Sequence, residues 1–565
     1  MHKPRNYLDA LNCLFVPLKA VLVAVFALAS EATFAQVSVL TGHNDNLRTG
    51  ANTLETTLNT SNVTGAGFGR RFCIPVDGYI YAQPLYVPSV RLGNGTTHNV
   101  LYVATAHDSV YAFDADFGSP LWKLSLGTPV PSSVIGTGNI PIEVGIIGTP
   151  VIDASTSTLY VVAKTYESAK QVLRLHALDL VSGLEKFGGP VQISASVAGQ
   201  GYDSASGIVA FNPASQNQRP ALTLSNGVIY VAFSSYDDFD PYHGWVLAYD
   251  STSLQRVGVF NTTPNGGKGG IWMSGQGLVA DGAGNVYLMV GNGQPSDDSN
   301  ANDYSESFVK LSGPNLGLLD YFKPSNYVAL DGTGAKPSDT DVGAGGALEI
   351  PGTPYLVGSG KQGMLYVINS NTGQMGELQG TDHVQQEFEF DSNGIWGSPV
   401  FWNNSGAPRL YIWGANDTLK AYAYLPSTEQ LDPTPASTSH DSNNSPITTA
   451  AGEACGALAV SSNGSTSGTG IVWAITPLSS PDGTTVGGTL HAFDAVSLLE
   501  LWNSRQNSSR DNYGNYAKFV PPTVANGNVY VATHSHQICV YGLNPGAGAR
   551  LLQDVTPLIS SVLLQ

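Results

Sequence analysis

The feature that most constrains this chain is an internal repeat. A Tyr-Val-Ala-like strand, an Ala-x-Asp strand and a strand with Trp or Phe return together eight times, bounded by Gly, Asn, Asp or Ser turns. The copies lie roughly 40 to 75 residues apart, at 100–126, 158–187, 228–260, 285–322, 355–378, 409–425, 471–502 and 528–543. Short alternating strands between such turns are typical of antiparallel hairpins.

A small sheet with two apolar faces must stack on its neighbours, and radial stacking produces a β-propeller. The repeat therefore predicts an all-β, eight-bladed propeller of four-stranded antiparallel blades, or seven blades if one copy is misread. The eighth copy ends after three strands, and RRFCIPV (70–76) is predicted to be its outer strand. That pairing closes the ring and removes an open sheet edge. It also places Cys73 beside Cys539; the pattern favours two buried thiols, with a disulfide as the alternative in an exported protein.

Composition agrees with such a fold and excludes several others. Only 12% of the residues are charged, while the chain has 64 glycines and 33 prolines. A coiled coil, a helical bundle or a charged disordered chain needs far more Glu, Lys and Arg. The balance of 25 basic against 43 acidic residues, a net charge of −18, also argues against nucleic acid or an anionic membrane as a partner.

The first 35 residues are predicted to be a secretory signal peptide. A basic start, a ten-residue apolar run at 20–29 and a small-x-small site at 33–35 form the usual three regions, and the run is too short to cross a membrane. We therefore expect a secreted or periplasmic protein with no transmembrane segment in the mature chain. The predicted organisation is a signal peptide (1–35), an N-terminal extension (36–69), a single propeller domain (70–543) and a C-terminal tail (544–565).

The repeat resembles the tryptophan-docking repeat of the pyrroloquinoline-quinone (PQQ) propellers. AFDADFGSPLW (112–122) matches its A-x-D-x-x-x-G-x-x-x-W tail, and AFDAVSLLELW (492–502) is a near copy without the Gly. HNDNLRTGAN (43–52) and DGYIYAQPLYVPSV (77–90) resemble a group of secreted PQQ-like-repeat proteins. The resemblance covers about 470 residues and implies a quinoprotein alcohol dehydrogenase-like fold. The same repeat also builds non-catalytic scaffolds, so the chemistry depends on individual positions.

In quinoprotein alcohol dehydrogenases a Trp stacks on PQQ, Ca²⁺ binds the quinone, a cation anchors its carbonyl and an Asp acts as general base. GGIW (269–272) resembles the segment that carries the stacking Trp, which implies that role for Trp272. GNGQP (291–295) resembles the G-N-x-x-P loop, which implies that the Asn292 amide binds calcium. The family's calcium-binding Glu has no counterpart here, so Asp240 or Asp238 would take its place.

Two further positions complete the implied site. GKQGMLYV (360–367) resembles the K-x-G-x-x-Y-V segment that presents the quinone-anchoring lysine, here Lys361. Asp341 lies where the family has its catalytic base, although the preceding Trp is absent. The implied cofactors are PQQ and Ca²⁺. No C-x-x-C-H occurs, so we expect no attached haem.

Three functions remain open at this point. The first is a secreted quinoprotein-like oxidoreductase that oxidises an alcohol or a sugar and passes its electrons to an external acceptor. The second is a non-catalytic propeller that binds a protein or a polysaccharide. The third is a propeller-based hydrolase or lyase, for which the sequence identifies no carboxylate pair.

Overall fold

The computed structural model describes Met1 and residues 37–294, 302–331, 339–376, 384–404, 406–453 and 455–544. The chain divides into two compact units, 1–36 and 37–565, and the second holds all the strands described here. The predicted signal peptide lies outside the described residues apart from Met1, and the predicted tail lies outside them apart from Asn544. No helix among the described residues is long and apolar enough to cross a membrane.

Eight antiparallel sheets follow one another along the chain, which confirms the predicted eight-bladed, all-β propeller. The first strands of blades 2, 3 and 4 contact one another in sequence, as do those of blades 6, 7, 8 and 1, so the first strands surround the axis. From the axis outward, the strands of blades 1 to 4 are Leu85–Arg91, Thr97–Ala104, Ser109–Asp114 and Pro120–Ser125; Val151–Asp153, Thr158–Glu167, Lys170–Asp179 and Val191–Gln192; Thr223–Ser225, Val228–Phe233, Trp245–Asp250 and Arg256–Asn261; and Val279–Ala280, Val286–Met289, Phe308–Leu311 and Leu318–Phe322.

Blades 5 to 8 repeat this order, and blade 6 carries two short outer strands. Their strands are Leu348–Glu349, Tyr355–Ser359, Met364–Asn369 and Val384–Glu389; Val400–Trp402, Arg409–Ile412, Lys420–Leu425, Gln430–Leu431 and Ser437–Thr438; Ala457–Ser461, Ile471–Pro477, Gly488–Asp494 and Glu500–Asn503; and Thr523–Ala525, Asn528–Ala532, Gln537–Leu543 and Phe68–Pro75.

The remaining elements are short and lie between the blades or at the axis. They are the hairpins Val130–Pro131 with Glu143–Val144 and Ser196–Ala198 with Ile208–Ala210, the strand Ala51–Asn52, the helices Ser132–Ile135, Tyr327–Leu330 and Ser508–Asp511, and the 3-10 turns Met273–Gly275 and Val342–Ala344.

The repeated residues explain why each blade docks on the next. The Tyr of the second strand donates its hydroxyl to a carbonyl of the following blade, as in Tyr160 to Ser251 (2.9 Å) and Tyr411 to Ala495 (2.6 Å). The accepting residue follows the Asp that ends the third strand. That Asp accepts the backbone N–H groups two and three residues on, as Asp494 does, which sets the turn. A buried hydroxyl needs an acceptor, so the pair fixes the contact between blades.

Blade 8 closes the ring as the sequence predicts. Phe68–Pro75 pairs antiparallel with Gln537–Leu543, and Cys73 lies directly opposite Cys539. The two cysteines form a disulfide, so the favoured expectation of two free thiols is wrong. The physical reason is register: the strand pairing brings the two side chains together on one face. Cys455 is buried and free.

The stretch predicted as an N-terminal extension runs through the propeller axis. Residues 39–52, which we call the axial segment, form hydrogen bonds with the inner strand of every blade in turn, at Tyr86, Ile152, Leu224, Ala280, Glu349, Phe401, Val460 and Val524. The HNDNLRTGAN motif lies inside this segment. Arg48 is fully buried there and donates to the carbonyls of Leu278 (3.0 Å) and Gly42 (2.8 Å) and to Thr41 (2.7 Å) and Thr223. The axial segment therefore ties the eight blades together from within.

Candidate functional site

A pocket of about 340 Å³ lies at the axis and is lined by loops that join successive blades and by loops within blades, such as those of Tyr236 and Lys361. A volume of this size falls at the lower end of the roughly 300–1,000 Å³ usual for small-molecule sites. In six of the eight junctions the lining residue stands four positions before the inner strand, namely Tyr81, Arg219, Ala344, Trp396, Glu453 and Phe519. Trp272 and Asp341 both stand seven positions before theirs. The repeat thus places a different side chain from each of these junctions at the pocket.

The axial segment lies beneath this pocket. Ser274, Trp396 and Phe519 line both the pocket and a second, much smaller cavity that His43 of the axial segment also lines. These three side chains therefore separate the pocket from the axial segment and form its floor.

Three of the five predicted site residues line the pocket together. Trp272, Asp341 and Lys361 all face it, and the Lys361 Nζ lies 2.7 Å from the Asp341 Oδ1. Lys361 forms a second ion pair with Asp339. Trp272 and Asp341 also lie close to each other, on either side of Gly291. A Cβ atom built on Gly291 would lie 3.0 Å from both Trp272 Cδ1 and Asp341 Oδ2.

The two predicted metal ligands lie apart from each other. Asn292 is buried and its Nδ2 lies 3.5 Å from the Oδ2 of Asp238, which lines the pocket. Asp240 is exposed, accepts a hydrogen bond from Tyr202 Oη at 2.7 Å and is absent from the pocket lining. The structure thus brings Asp238, the alternative to Asp240, together with Asn292. Asp238 also accepts the Tyr242 hydroxyl at 2.5 Å.

The turn that presents Trp272 is conformationally unusual. The residues that follow it, Met273 and Ser274, both have φ of 46° and are followed by Gly275 at 78°. Non-glycine residues rarely adopt left-handed conformations, and consecutive ones persist only where their surroundings enforce them. Here Ser274 Oγ donates to the carbonyl of Ala344 at 2.6 Å, which ties this turn to the loop that carries Asp341.

Burial controls the charge of the Asp341 carboxyl, whose residue is 1% exposed. Desolvation raises the pKa of Asp341 to about 6, the positive charge of Lys361 lowers it, and Asp339 adds a further raising effect. For Lys361, burial lowers the pKa, but the ion pairs with Asp341 and Asp339 outweigh burial and raise it. A carboxyl group in this state is ionised at neutral pH and takes up a proton readily.

The loop behind Asp341 is anchored by a buried acid. The backbone N–H of Val342 donates to Glu306 Oε2 at 2.7 Å, and Glu306 is fully buried. Desolvation first, and then the negative charges of Asp341 and Asp331, raise the pKa of Glu306 well above its usual value. The Asp341 loop is therefore held by a carboxyl group whose burial disfavours the charged form.

The pocket lining also includes Tyr81, Arg219, Tyr236 and the Lys518–Glu453 ion pair beside Phe519, none of which was predicted from the sequence. Tyr81 lies within the 77–90 motif, which assigns it no role, and no short motif marks the others. Their shared distance from an inner strand is the pattern that could have identified Tyr81, Arg219, Glu453 and Phe519.

Metal-binding capacity at the pocket is limited. Among the described residues, no group of three or more His, Cys, Asp or Glu side chains is arranged to hold a metal ion. Asp238 and Asn292 offer two neighbouring side chains with oxygen donors, whereas Ca²⁺ takes six to eight oxygen ligands. A bound ligand or waters would have to supply most of a calcium shell.

Comparison with known proteins shows a likeness in fold only. No family model and no curated protein sequence matches the chain. Among solved structures it is similar to the quinohemoprotein alcohol dehydrogenase ADHIIG from Pseudomonas putida HK5, at 15% identity and a TM-score of 0.54, covering 92% of this chain and 82% of that one. The quinohemoprotein alcohol dehydrogenase from Comamonas testosteroni is similar at 13% identity and a TM-score of 0.57, covering 93% and 84%. A europium-containing methanol dehydrogenase is similar at 13% identity and a TM-score of 0.53, covering 90% and 98%.

Proposed function

We propose that this propeller is an oxidoreductase that oxidises an alcohol or a sugar hydroxyl in the axial pocket, with PQQ as the electron acceptor. The observation that carries the proposal is the convergence of Trp272, Asp341 and Lys361 on one buried pocket. These residues come from three different loops, and the repeat alone does not require their side chains to meet. The likeness in fold to quinoprotein dehydrogenases supports the same proposal.

Asp341 is the general base in this proposal. Its pKa of about 6 leaves the carboxylate ionised at neutral pH, yet close enough to neutrality to accept a proton from a substrate hydroxyl. Lys361, 2.7 Å away, fixes the orientation of the carboxylate and stabilises its charged form. Burial keeps bulk water away from the pair, which strengthens their interaction.

The chain's own residues fit a planar quinone in part. Trp272 supplies an aromatic surface, Lys361 a cation, and Arg219, which has no acidic partner among the described residues, a second cation. Bound PQQ would supply a two-electron acceptor for the hydrogen on the substrate's carbon, while the hydroxyl proton goes to Asp341. Asp238 and Asn292 would be the protein's contribution to a calcium ion.

The proposal places the mature chain outside the cytoplasm. Disulfides persist in oxidising compartments, and the Cys73–Cys539 bond agrees with the export that the first 35 residues predict. With no haem motif in the chain, electrons would pass from the quinone to an external acceptor.

A second candidate is a non-catalytic propeller that binds a protein or a polysaccharide. Two observations favour it: the described residues lack a three-ligand metal cluster, and both carboxylates beside Lys361 already neutralise its charge. In that case the pocket would carry out no redox chemistry.

Reconstitution separates the two. The purified mature chain is incubated with PQQ and Ca²⁺, and PQQ binding and dye reduction are followed with a panel of alcohols and sugars. We expect binding and dye reduction in the unmodified protein. Asp341→Asn should reduce turnover by a factor of at least about 10² while PQQ binding persists. Asp432→Asn, on the outer side of blade 6, is the matched control and should leave turnover unchanged. Failure to bind PQQ would rule out the oxidoreductase.

A further inference from the structure

Part of the axial pocket's lining carries hydrogen-bond donors that have no acceptor among the described residues. Arg219, Tyr81, Ser235 and Tyr236, which we call the donor cluster, all line the pocket and are at most 8% exposed. None of the three hydroxyls has a hydrogen-bond partner among the described residues. Buried polar groups in folded proteins almost always have partners, so a set of four facing one pocket requires an explanation.

Arg219 is the strongest member of the donor cluster. Its guanidinium lies 4.9 Å from the centre of the Phe519 ring and 6.0 Å from that of Tyr81. No described carboxylate lies within ion-pair distance of the Arg219 guanidinium. Glu453 is the carboxylate whose charge acts on the pKa of Arg219, and it already forms an ion pair with Lys518. Aromatic faces stabilise a cation in part, but they leave the five N–H donors of the guanidinium without acceptors in the described part of the chain.

The members of the donor cluster belong to one continuous patch. Asn217 and Ser234 exchange two backbone hydrogen bonds of 2.9 Å, which joins the segment of Arg219 to that of Ser235 and Tyr236. Tyr81 and Tyr236 lie in the same apolar cluster. The two segments come from neighbouring connections in the repeat, one before blade 3 and one within it.

We propose that the donor cluster binds a carboxylate group of the pocket's ligand. The cluster offers donors from one side, and a guanidinium matches the two oxygens of a carboxylate in its own plane. A single negative charge suits the pocket better than a phosphate dianion, because its lining contains six acidic residues and three basic ones. The carboxylate belongs either to the quinone cofactor or to an acidic substrate such as a sugar acid.

This inference rests on the proposed function only in taking the axial pocket as the ligand site. Its test measures binding, with no turnover needed. Isothermal titration calorimetry is performed on the mature protein with four probes: PQQ, D-galacturonate, D-galactose and inorganic phosphate. The variants are Arg219→Gln, the double variant Tyr81→Phe with Tyr236→Phe, and Arg256→Gln, an exposed arginine on the outer strand of blade 3 that serves as the matched control.

We expect one of the two carboxylate probes to bind, with neutral D-galactose and phosphate at least tenfold weaker. Arg219→Gln should weaken that binding by about 10- to 100-fold, and the double Phe variant by about tenfold, while Arg256→Gln changes nothing. Binding of PQQ identifies the cofactor as the carboxylate source, and binding of D-galacturonate alone identifies the substrate. If Arg219→Gln fails to fold, the double Phe variant still tests whether the donor cluster binds the carboxylate.

The two proposals can fail separately. Galacturonate binding that depends on Arg219, without PQQ binding, would support the donor cluster and refute the quinone enzyme. PQQ binding and dye reduction that are unaffected by all three cluster substitutions would refute the donor cluster and leave the enzyme in place. Equal binding of D-galactose or phosphate, or no binding by any probe, would also overturn this inference.

Discussion

Removal of the Cys73–Cys539 disulfide should destabilise the closed ring. The bond joins the first and last strands in chain order of blade 8 and closes a loop with a sequence separation of 466. For a loop of that length the chain-entropy relation gives about 6 kcal/mol at 25 °C, whereas measured contributions reach only about 5 kcal/mol. We therefore expect Cys73→Ala with Cys539→Ala to lower the free energy of unfolding by about 2 to 5 kcal/mol.

The size of the domain sets the expected change in Tm. If the propeller of about 530 residues unfolds as one unit, its unfolding entropy near Tm is about 1.1 kcal/mol/K, so the loss corresponds to about 2 to 5 °C. Differential scanning calorimetry measures this shift, and the reduced unmodified protein should show the same shift as the double variant. Reductant should leave the double variant unchanged.

Thiol titration of the unfolded mature chain gives an independent result. A disulfide predicts one reactive thiol, that of Cys455, against three if Cys73 and Cys539 are free. Three thiols in the freshly purified mature chain, or equal Tm values for the double variant and the oxidised protein, would refute the reasoning.

Three further predictions concern the site and the packing. The folded-state pKa of Asp341 is raised to about 6, so its carboxylate becomes protonated as the pH falls through 6. We therefore expect kcat/KM to rise with pH through that value, and a flat profile would contradict the role of Asp341 as base. Arg48→Met should lower the free energy of unfolding by about 3 kcal/mol in urea titrations, since the buried acceptors around it lose their donor; no change would show that water replaces it. Tyr411→Phe should cost about 1 kcal/mol in the same assay through loss of its bond to Ala495, and an unaltered midpoint would argue against docking by this hydroxyl.

The blade architecture could be predicted because the repeat's side chains act alike in many blades. The Tyr of the second strand and the Asp of the third occupy equivalent hydrogen-bonding positions, so residue type itself reports the structure. The inner strands were harder to identify, since those of blades 4 and 5 are only two residues long. Periodicity needs more residues than that to become visible.

The pocket could be predicted only where residue type followed a known motif. Trp272, Asp341 and Lys361 do so, and the structure brings them together. Arg219 does not, because its position in the repeat is filled by a different residue type in each of the six junctions that share it. The choice between Asp238 and Asp240 depends on a turn in which Asp238 has φ of 53°, and the sequence carries no information on that backbone conformation.

The path of the axial segment bears on the order in which the molecule can assemble. Residues 39–52 leave the ribosome before any blade, yet their hydrogen-bonding partners extend to Val524 in the last blade. Phe68–Pro75 likewise has no partner strand until Gln537–Leu543 has been made. Because synthesis runs from the N- to the C-terminus, these two early segments can complete their contacts only after the last blade has been synthesised. A nascent chain stopped before blade 8 has neither a closed ring nor a completed axis, so the fold cannot be completed until translation ends.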